Sequence, residues 1–411
     1  MNKKTIFITI SLVLFSVFIL NIPSEKYVKN VTEWLASVSI FHQKVSANDL
    51  RKEYAYNNIY GTRQINILVV PGHDKSGGGG TQFRSIKESE LNLELATYLY
   101  EFLKEDKKFN VLITRDKSGY LPVFSNYFRD EKENIIAFRD KHGKIMNSAI
   151  EQGWVDSNNG IEHNFAPNET AIKLYGINRW INQNKMDIVL HVHFNDYPGR
   201  KHDTVGKYSG FSIYVPESQY SNGKTSKEFA SFLLKRINTR LPISNLKQES
   251  NGIVEDQELI AIGSKNTLDA VSALIEYGYI YEPQFRNSKT KSLMLKEMAY
   301  QTYKGVVDFF EDGDQDKNTI LADTTLLPHL WEKDLEYGTY NNDSTLYLQV
   351  ALIKENLYPP KNKSVQNCPV TGLFGPCTLE SVKEFQKQND ISPTGYVGPQ
   401  TRSILNEKYS I

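Results

Sequence analysis

Along the middle of the chain, short unbroken apolar blocks alternate with blocks of helical period. Ile65-Asn66-Ile67-Leu68-Val69-Val70 is the clearest; Phe109 to Thr114, Asp187 to His193, Gly210 to Val215 and Val271 to Glu276 follow. Apolar runs of that length, bounded by turn residues, read as buried strands. Between them, residues 88–104, 171–184, 225–240 and 289–311 carry apolar side chains at helical spacing. Strands alternating with helices argue for an α/β layered domain over residues 61–312. Lys117 to Thr170 breaks the alternation, being long, polar and aromatic. A structureless loop of that size does not suit a compact domain, so it is expected to be an insertion with structure of its own, near the site or over it. Gly313-Asp314-Gln315-Asp316-Lys317-Asn318 opens a linker over 313–338, and 339–411 form a small tail domain.

The N-terminal end bounds the setting. Lys3 and Lys4 precede an almost purely apolar stretch from Ile6 to Ile22. A positive segment followed by an apolar core directs a chain into export. Asn21-Ile22-Pro23-Ser24-Glu25 makes a poor cleavage site, so residues 1–25 are expected to be an uncleaved signal anchor rather than a removed signal peptide. Residues 26–60 read as a spacer, and the rest of the chain is expected to work outside the cytoplasm.

The 411 residues allow two or three domains. Lys+Arg 48 against Asp+Glu 48 leaves no net charge, which argues against bulk-charge binding of nucleic acid or an anionic membrane. The two cysteines, Cys368 and Cys377, sit in an exported tail. They allow one disulfide or two buried thiols, and the sequence alone does not choose.

The chemistry gathers at strand ends. The first strand breaks at Pro71-Gly72 and delivers His73 on a turn; Gly77 to Gly80 follow, then an acidic helix start at Glu88-Ser89-Glu90. The run from Asp187 ends in His191-Val192-His193. Two strand-end histidines and a carboxylate at a helix start suggest a metal site. His191 and His193 share a strand face by period two, so either could reach it. Glu90 and Glu94 suit a helix surface, and the Gly77–Gly80 run lacks the Gly-Lys-Ser/Thr of a phosphate loop. That run is expected to be a mobile loop beside the metal. Arg115 is expected to be structural, and His142, His163 and His202 have no readable role.

Val70-Pro71-Gly72-His73-Asp74, Glu88 to Leu93, Leu112-Ile113-Thr114-Arg115, Asp187 to Asn195 and Ala273 to Ile280 fall in an order that resembles the zinc-dependent N-acetylmuramoyl-L-alanine amidases of the Amidase_3 type. The resemblance implies an α/β fold with a mixed sheet flanked by helices. It implies Zn2+ as cofactor, with His73, Glu88 and His193 as ligands and Glu276 as the catalytic glutamate. It selects His193 and puts His191 where a serine is usual, which leaves His191 in a supporting or core role. A zinc ion held by two imidazoles and one carboxylate keeps a position open for water, and a nearby glutamate moves that water's proton. The GHGG of the family reads Gly72-His73-Asp74-Lys75 here, Tyr279 replaces a common phenylalanine, and the insertion is unusually long. Some relatives hide their site beneath an inserted helix until a protein partner removes it; no residue here identifies such a partner.

The tail resembles a peptidoglycan-binding module. Leu348-Gln349, Gly372-Leu373-Phe374-Gly375, Thr378, Val382 to Gln386, Gly395-Tyr396-Val397-Gly398 and Thr401 carry the likeness. It implies a three-helix domain, with the glycines ending helices and the threonines starting them, and peptidoglycan as partner. The expected activity is hydrolysis of the bond between N-acetylmuramic acid and L-alanine, in wall remodelling or cell separation. A zinc hydrolase cutting within the stem peptide and a non-catalytic wall-binding protein stand as alternatives.

Overall fold

The computed structural model describes residues 46–410 except 62, 75–78, 158–165, 198, 312–316 and 341. The expected anchor, and the spacer up to residue 45, lie outside the described residues. Among those described, no helix is long and apolar enough to cross a membrane.

The first described element corrects the spacer. Helix α1, Ala47–Tyr60, begins at a Ser46 cap whose hydroxyl accepts from Asp49 N–H. It buries Leu50 and Tyr54 in the main core. Arg51 Nε donates to the Phe309 carbonyl at 2.8 Å, so this helix is docked on the α/β domain.

The apolar blocks form strands as expected. In order, the elements are β1 Ile65–Pro71, the ribbon β2 Gln82–Phe83 and β3 Ile86–Lys87, α2 Glu88–Glu105, and β4 Phe109–Ile113. A second ribbon, β5 Arg115–Asp116 and β6 Gly119–Tyr120, leads to α3 Pro122–Asp130, α4 Lys132–Glu151 and α5 Asn168–Gln183. Then come β7 Ile188–Asn195, β8 Ser212–Pro216, α6 Gly223–Ile237, β9 Ile253–Asp256, β10 Val271–Tyr279, α7 Pro283–Arg286 and α8 Ser288–Glu311. One six-stranded sheet runs β4-β1-β7-β10-β8-β9. Only the β10–β8 pair is antiparallel, so the sheet is mixed.

Strand side chains alternate faces. Ile67, Val69, Leu190, Val192, Ala273 and Ile275 bury one face beneath α1, α2, α6 and α8. Leu68, Val70 and Val189 bury the other beneath α5 and α3. Both faces of β1, β7 and β10 are covered, which is why these strands read as unbroken apolar runs. The insertion is helical over much of its length: α3 and α4 pack against α5, with Ile135, Ile172 and Tyr175 between them. Strand β9 was not expected. Its four residues, Ile-Val-Glu-Asp, are too short and mixed to stand out.

The expected linker is also corrected. Helix α9, Lys317–Ala322, leads into residues that are bonded to the α/β domain. Arg240, on the turn after α6, pairs with Glu297 of α8 at 2.9 Å, both fully buried. The other Glu297 oxygen accepts from Thr325 N–H at 2.8 Å, and Arg240 Nη2 donates to the Asp323 carbonyl at 2.8 Å. Leu326, Trp331 and Leu335 join the main core.

The tail holds three helices, α10 Asp343–Lys354, α11 Pro376–Gln388 and α12 Pro399–Tyr409. Gln349 accepts from Gly372 N–H at 2.9 Å and donates to Thr378 Oγ1 at 3.0 Å. Gln386 repeats this with Gly395 N–H at 2.8 Å and Thr401 Oγ1 at 3.0 Å. Gly375 and Gly398 are N-caps followed by Pro376 and Pro399 at the first helical position. So these glycines precede helices rather than end them, and each threonine receives a buried amide. Cys368 and Cys377 are joined, pinning the first of these turns to α11.

Candidate active site

Parallel β1, β7 and β10 all end at one edge of the sheet, and open α/β sheets place ligands there. Each candidate side chain reaches that edge by a different local device. Past β1, Gly72 N–H still donates to the Val192 carbonyl at 2.9 Å. His73 then takes φ 53, the left-handed region that non-glycine residues rarely occupy, and strain of this kind gathers at functional sites. Glu88 opens α2, where the positive end of the helix favours a carboxylate. His193 lies on β7, in register with Glu276 of β10.

These devices converge. One oxygen of Glu88, Oε1, lies 3.1 Å from His73 Nε2 and 3.3 Å from His193 Nδ1. The donor atoms of His73, Glu88 and His193 all lie within 4.8 Å of one another. Two imidazole nitrogens and a carboxylate oxygen are the donor set of a zinc-type site with an open position. Side-chain exposure is 37% at His73 against 5% at Glu88, so the cluster opens to solvent on the His73 side.

Neighbours hold the donors in place. Thr81 N–H donates to the second Glu88 oxygen, Oε2, at 2.9 Å, leaving Oε1 to face the histidines. Asn92 Nδ2, one helical turn on, donates to Gly72 O at 2.9 Å and to Glu88 Oε1 at 3.3 Å. Arg115 Nη2 donates to the carbonyls of Gly72 (2.8 Å) and Ser89 (3.0 Å), fixing the strand end to the helix start. Two glycines are steric necessities: a Cβ at Gly72 would lie 2.2 Å from the His193 ring, and one at Gly80 2.4 Å from Glu88 Oε2. Further out, Thr81 donates its hydroxyl to Asp196. Arg200 pairs with Asp196 at 2.7 Å and donates to Gln82 O at 2.8 Å, joining the loop after β7 to the ribbon before α2.

Electrostatics separates the two glutamates. Burial works to raise the Glu88 carboxyl, but hydrogen bonds from His193 and His73 outweigh it and hold it well below the usual range. Among the described residues Glu276 has no such partners. Burial first, then the charges of Glu88 and Glu249, push its carboxyl well above the usual range. Its Oε2 is buried and makes no hydrogen bond among the described residues. An unpaired, raised carboxyl beside a metal-type cluster is suited to accept and return a proton.

The remaining candidates separate cleanly. His191 shares the His193 face but stays out of the cluster of donor atoms, and it is 1% exposed. Burial, then His193, drops its pKa to about 3, so it packs as a neutral ring. Glu90 is exposed, and Glu94 bonds Ser292 and Lys291 of α8 away from the cluster. His142 packs on Phe138, His202 pairs with Asp203 on the surface, and His163 lies outside the described residues. Sequence reading missed Thr81, Asn92, Asp196, Arg200 and Glu249. Asn92 alone carried a signal, standing four residues after Glu88 on one helix face.

Comparison with known proteins places the cluster in context. Residues 67–308 match the family described as N-acetylmuramoyl-L-alanine amidase. Residues 342–405 match the family described as "Putative peptidoglycan binding domain". The "Putative N-acetylmuramoyl-L-alanine amidase" of Buchnera aphidicola is 26% identical over 136 residues, 31% of this chain. The match spans 57% of that relative's length. An N-acetylmuramoyl-L-alanine amidase from Clostridium difficile 630 aligns at 17% identity over 62% of this chain and 100% of its own, TM-score 0.36. Ami1 from Mycobacterium smegmatis aligns at 12% identity over 61% of this chain and 98% of its own, TM-score 0.38. Structural likenesses this weak do not bear on function.

Proposed function

The chain belongs to the N-acetylmuramoyl-L-alanine amidase family, and on that premise we propose that it hydrolyses the amide between N-acetylmuramic acid and L-alanine of peptidoglycan, with zinc as cofactor. The observation that carries this reading is the convergence of His73, Glu88 and His193 beside an unpaired Glu276. Those three residues would hold the ion, and their donor set fits it. When bound, zinc supplies Lewis acidity toward the scissile carbonyl and toward water. Glu276 takes a proton from the attacking water at Oε2 and returns it to the leaving amine nitrogen. Without that return, the amine would have to leave as a strongly basic anion. His73, on the open side, lines the approach. The tail module keeps the enzyme on its polymer and raises the local substrate concentration. The role that fits is wall remodelling or cell separation, outside the cytoplasm.

The test is the full chain, with zinc, on purified peptidoglycan, reading fragments by mass spectrometry. Free stem peptides beginning at L-alanine are expected. They should vanish with a chelator and fall by at least about a hundredfold in Glu276→Gln, the lower end of a proton-transfer contribution. Glu276→Gln should still bind zinc. Cleavage within the stem peptide, or full activity without zinc, would sink the reading.

A further inference from the structure

Glu249 is a buried carboxylate that takes no direct part in the proton transfer, although its charge helps to raise Glu276. It ends a short helical turn, Lys247–Glu249, and is 1% exposed. A buried carboxylate is costly unless its oxygens are hydrogen-bonded. Three donors meet these: Tyr214 hydroxyl at 2.6 Å and Asn195 Nδ2 at 3.0 Å on Oε1, and Tyr279 hydroxyl at 3.3 Å on Oε2. All three donors sit on strands that build the site. Asn195 ends β7, two residues past His193 and on the same face by strand alternation. Tyr279 ends β10 opposite Asn195, and Tyr214 lies on β8 opposite Leu274, two residues before Glu276.

Chemistry decides what this does to Asn195. The Glu249 oxygens accept from both tyrosine hydroxyls and from Asn195 Nδ2, whereas a carboxamide such as Asn195 both donates and accepts. Glu249 therefore requires the amino half of the Asn195 amide to face inward. The carbonyl half, Oδ1, is left for the cleft; among the described residues no donor reaches it, and Asn195 is partly exposed. A fixed outward carbonyl beside the catalytic edge is complementary to a peptide N–H, and the stem peptide of the proposed substrate supplies several.

We propose that Glu249 is a positioning residue that locks Asn195 as an acceptor for a backbone N–H of the stem peptide. The proposal rests on the amidase reading and deepens it by naming a peptide-side contact. With glutamine at 249 the pocket no longer requires an inward donor. Tyr214 and Tyr279 can still be satisfied, so the fold is kept while the Asn195 amide loses its fixed orientation.

The experiment uses the zinc-loaded full chain and soluble N-acetylmuramoyl pentapeptide. It compares wild type, Glu249→Gln, Asn195→Ala and the double variant for KM, kcat and zinc content. Glu249→Gln is expected to raise KM about fivefold, the worth of one neutral amide hydrogen bond. Its zinc content should stay within about twofold of wild type; kcat is compared at the plateau of each variant's pH profile, because removing the Glu249 charge also acts on Glu276, and should stay within about twofold there. The double variant should be no worse than Asn195→Ala alone, because both changes remove the same contact. An unchanged KM, a fall in kcat alone, or independent multiplying losses would overturn the proposal while leaving the amidase reading intact. A wild-type chain that releases no L-alanyl peptide would overturn both.

Discussion

Replacing Gly72 by alanine isolates one steric requirement of the site. Gly72 is outside the left-handed region, so alanine suits its backbone. The added Cβ would lie 2.2 Å from His193 Cε1 and Nε2 and 2.7 Å from Cδ2. Non-bonded carbons rest at about 3.5 Å or more, so the ring must retreat by roughly 1.3 Å. Metal sites tolerate distance errors of only about 0.2 Å. The displaced imidazole therefore leaves the reach of an ion held by His73 and Glu88. Zinc affinity is expected to fall about a hundredfold or more, which is about 2.7 kcal/mol. Competition titration against a chromogenic chelator measures it, with peptidoglycan hydrolysis in parallel. Gly72 is buried, so the zinc-free protein should lose no more than an overpacking cost of about 1–3 kcal/mol by urea denaturation and stay folded. Gly375→Ala, where nothing lies within 4 Å of the added Cβ, is the control. Wild-type zinc affinity in Gly72→Ala would refute both the assignment of His193 as a ligand and the packing argument behind it.

Two further outcomes concern buried carboxylates outside the site. Glu297→Ala removes the partner of fully buried Arg240 and the acceptor for Thr325, so urea denaturation should show a loss of about 3–5 kcal/mol; a loss under about 1 kcal/mol would mean that the segment from 323 to 325 is not held by this pair. Glu282 accepts from the N–H groups of Gly210 and Tyr279, and burial, the larger influence, lifts its carboxyl above the ordinary 4.5. The folded chain then binds this proton more tightly than the unfolded one, so the group's contribution is full below 4.5 and is lost as pH rises through the folded value. The stability of Glu282→Gln relative to wild type should therefore increase between pH 4.5 and 7, and a constant difference would contradict the shift.

The sequence by itself determined most of the elements of the α/β domain and which residue types were candidates for the site. Unbroken apolar runs announced strands covered on both faces, because such strands need no polar side. The helical period of residues 88–104 and 289–311 survived as α2 and α8, because each has one face to bury against the sheet. His73, Glu88 and the His191/His193 pair stood out as candidates because strand ends and helix starts are local features, whereas Glu276 was marked only by the family resemblance. What needed the tertiary structure was every relation across the chain. Helix α1 and the segment from 317 to 335 looked like spacer and linker, since their few apolar residues are scattered; only the fold shows Leu50, Tyr54, Leu326 and Trp331 entering one core. The choice of His193 over His191 rested on family likeness until the fold brought one ring to Glu88 and sealed the other in the core. Thr81, which holds Glu88 through its backbone N–H, and Glu249, which reaches Asn195 across 54 residues, left no trace in spacing. Main-chain donors and contacts made by folding distant loops together have no local sequence period, so they exist only once the sheet has set which strand ends meet.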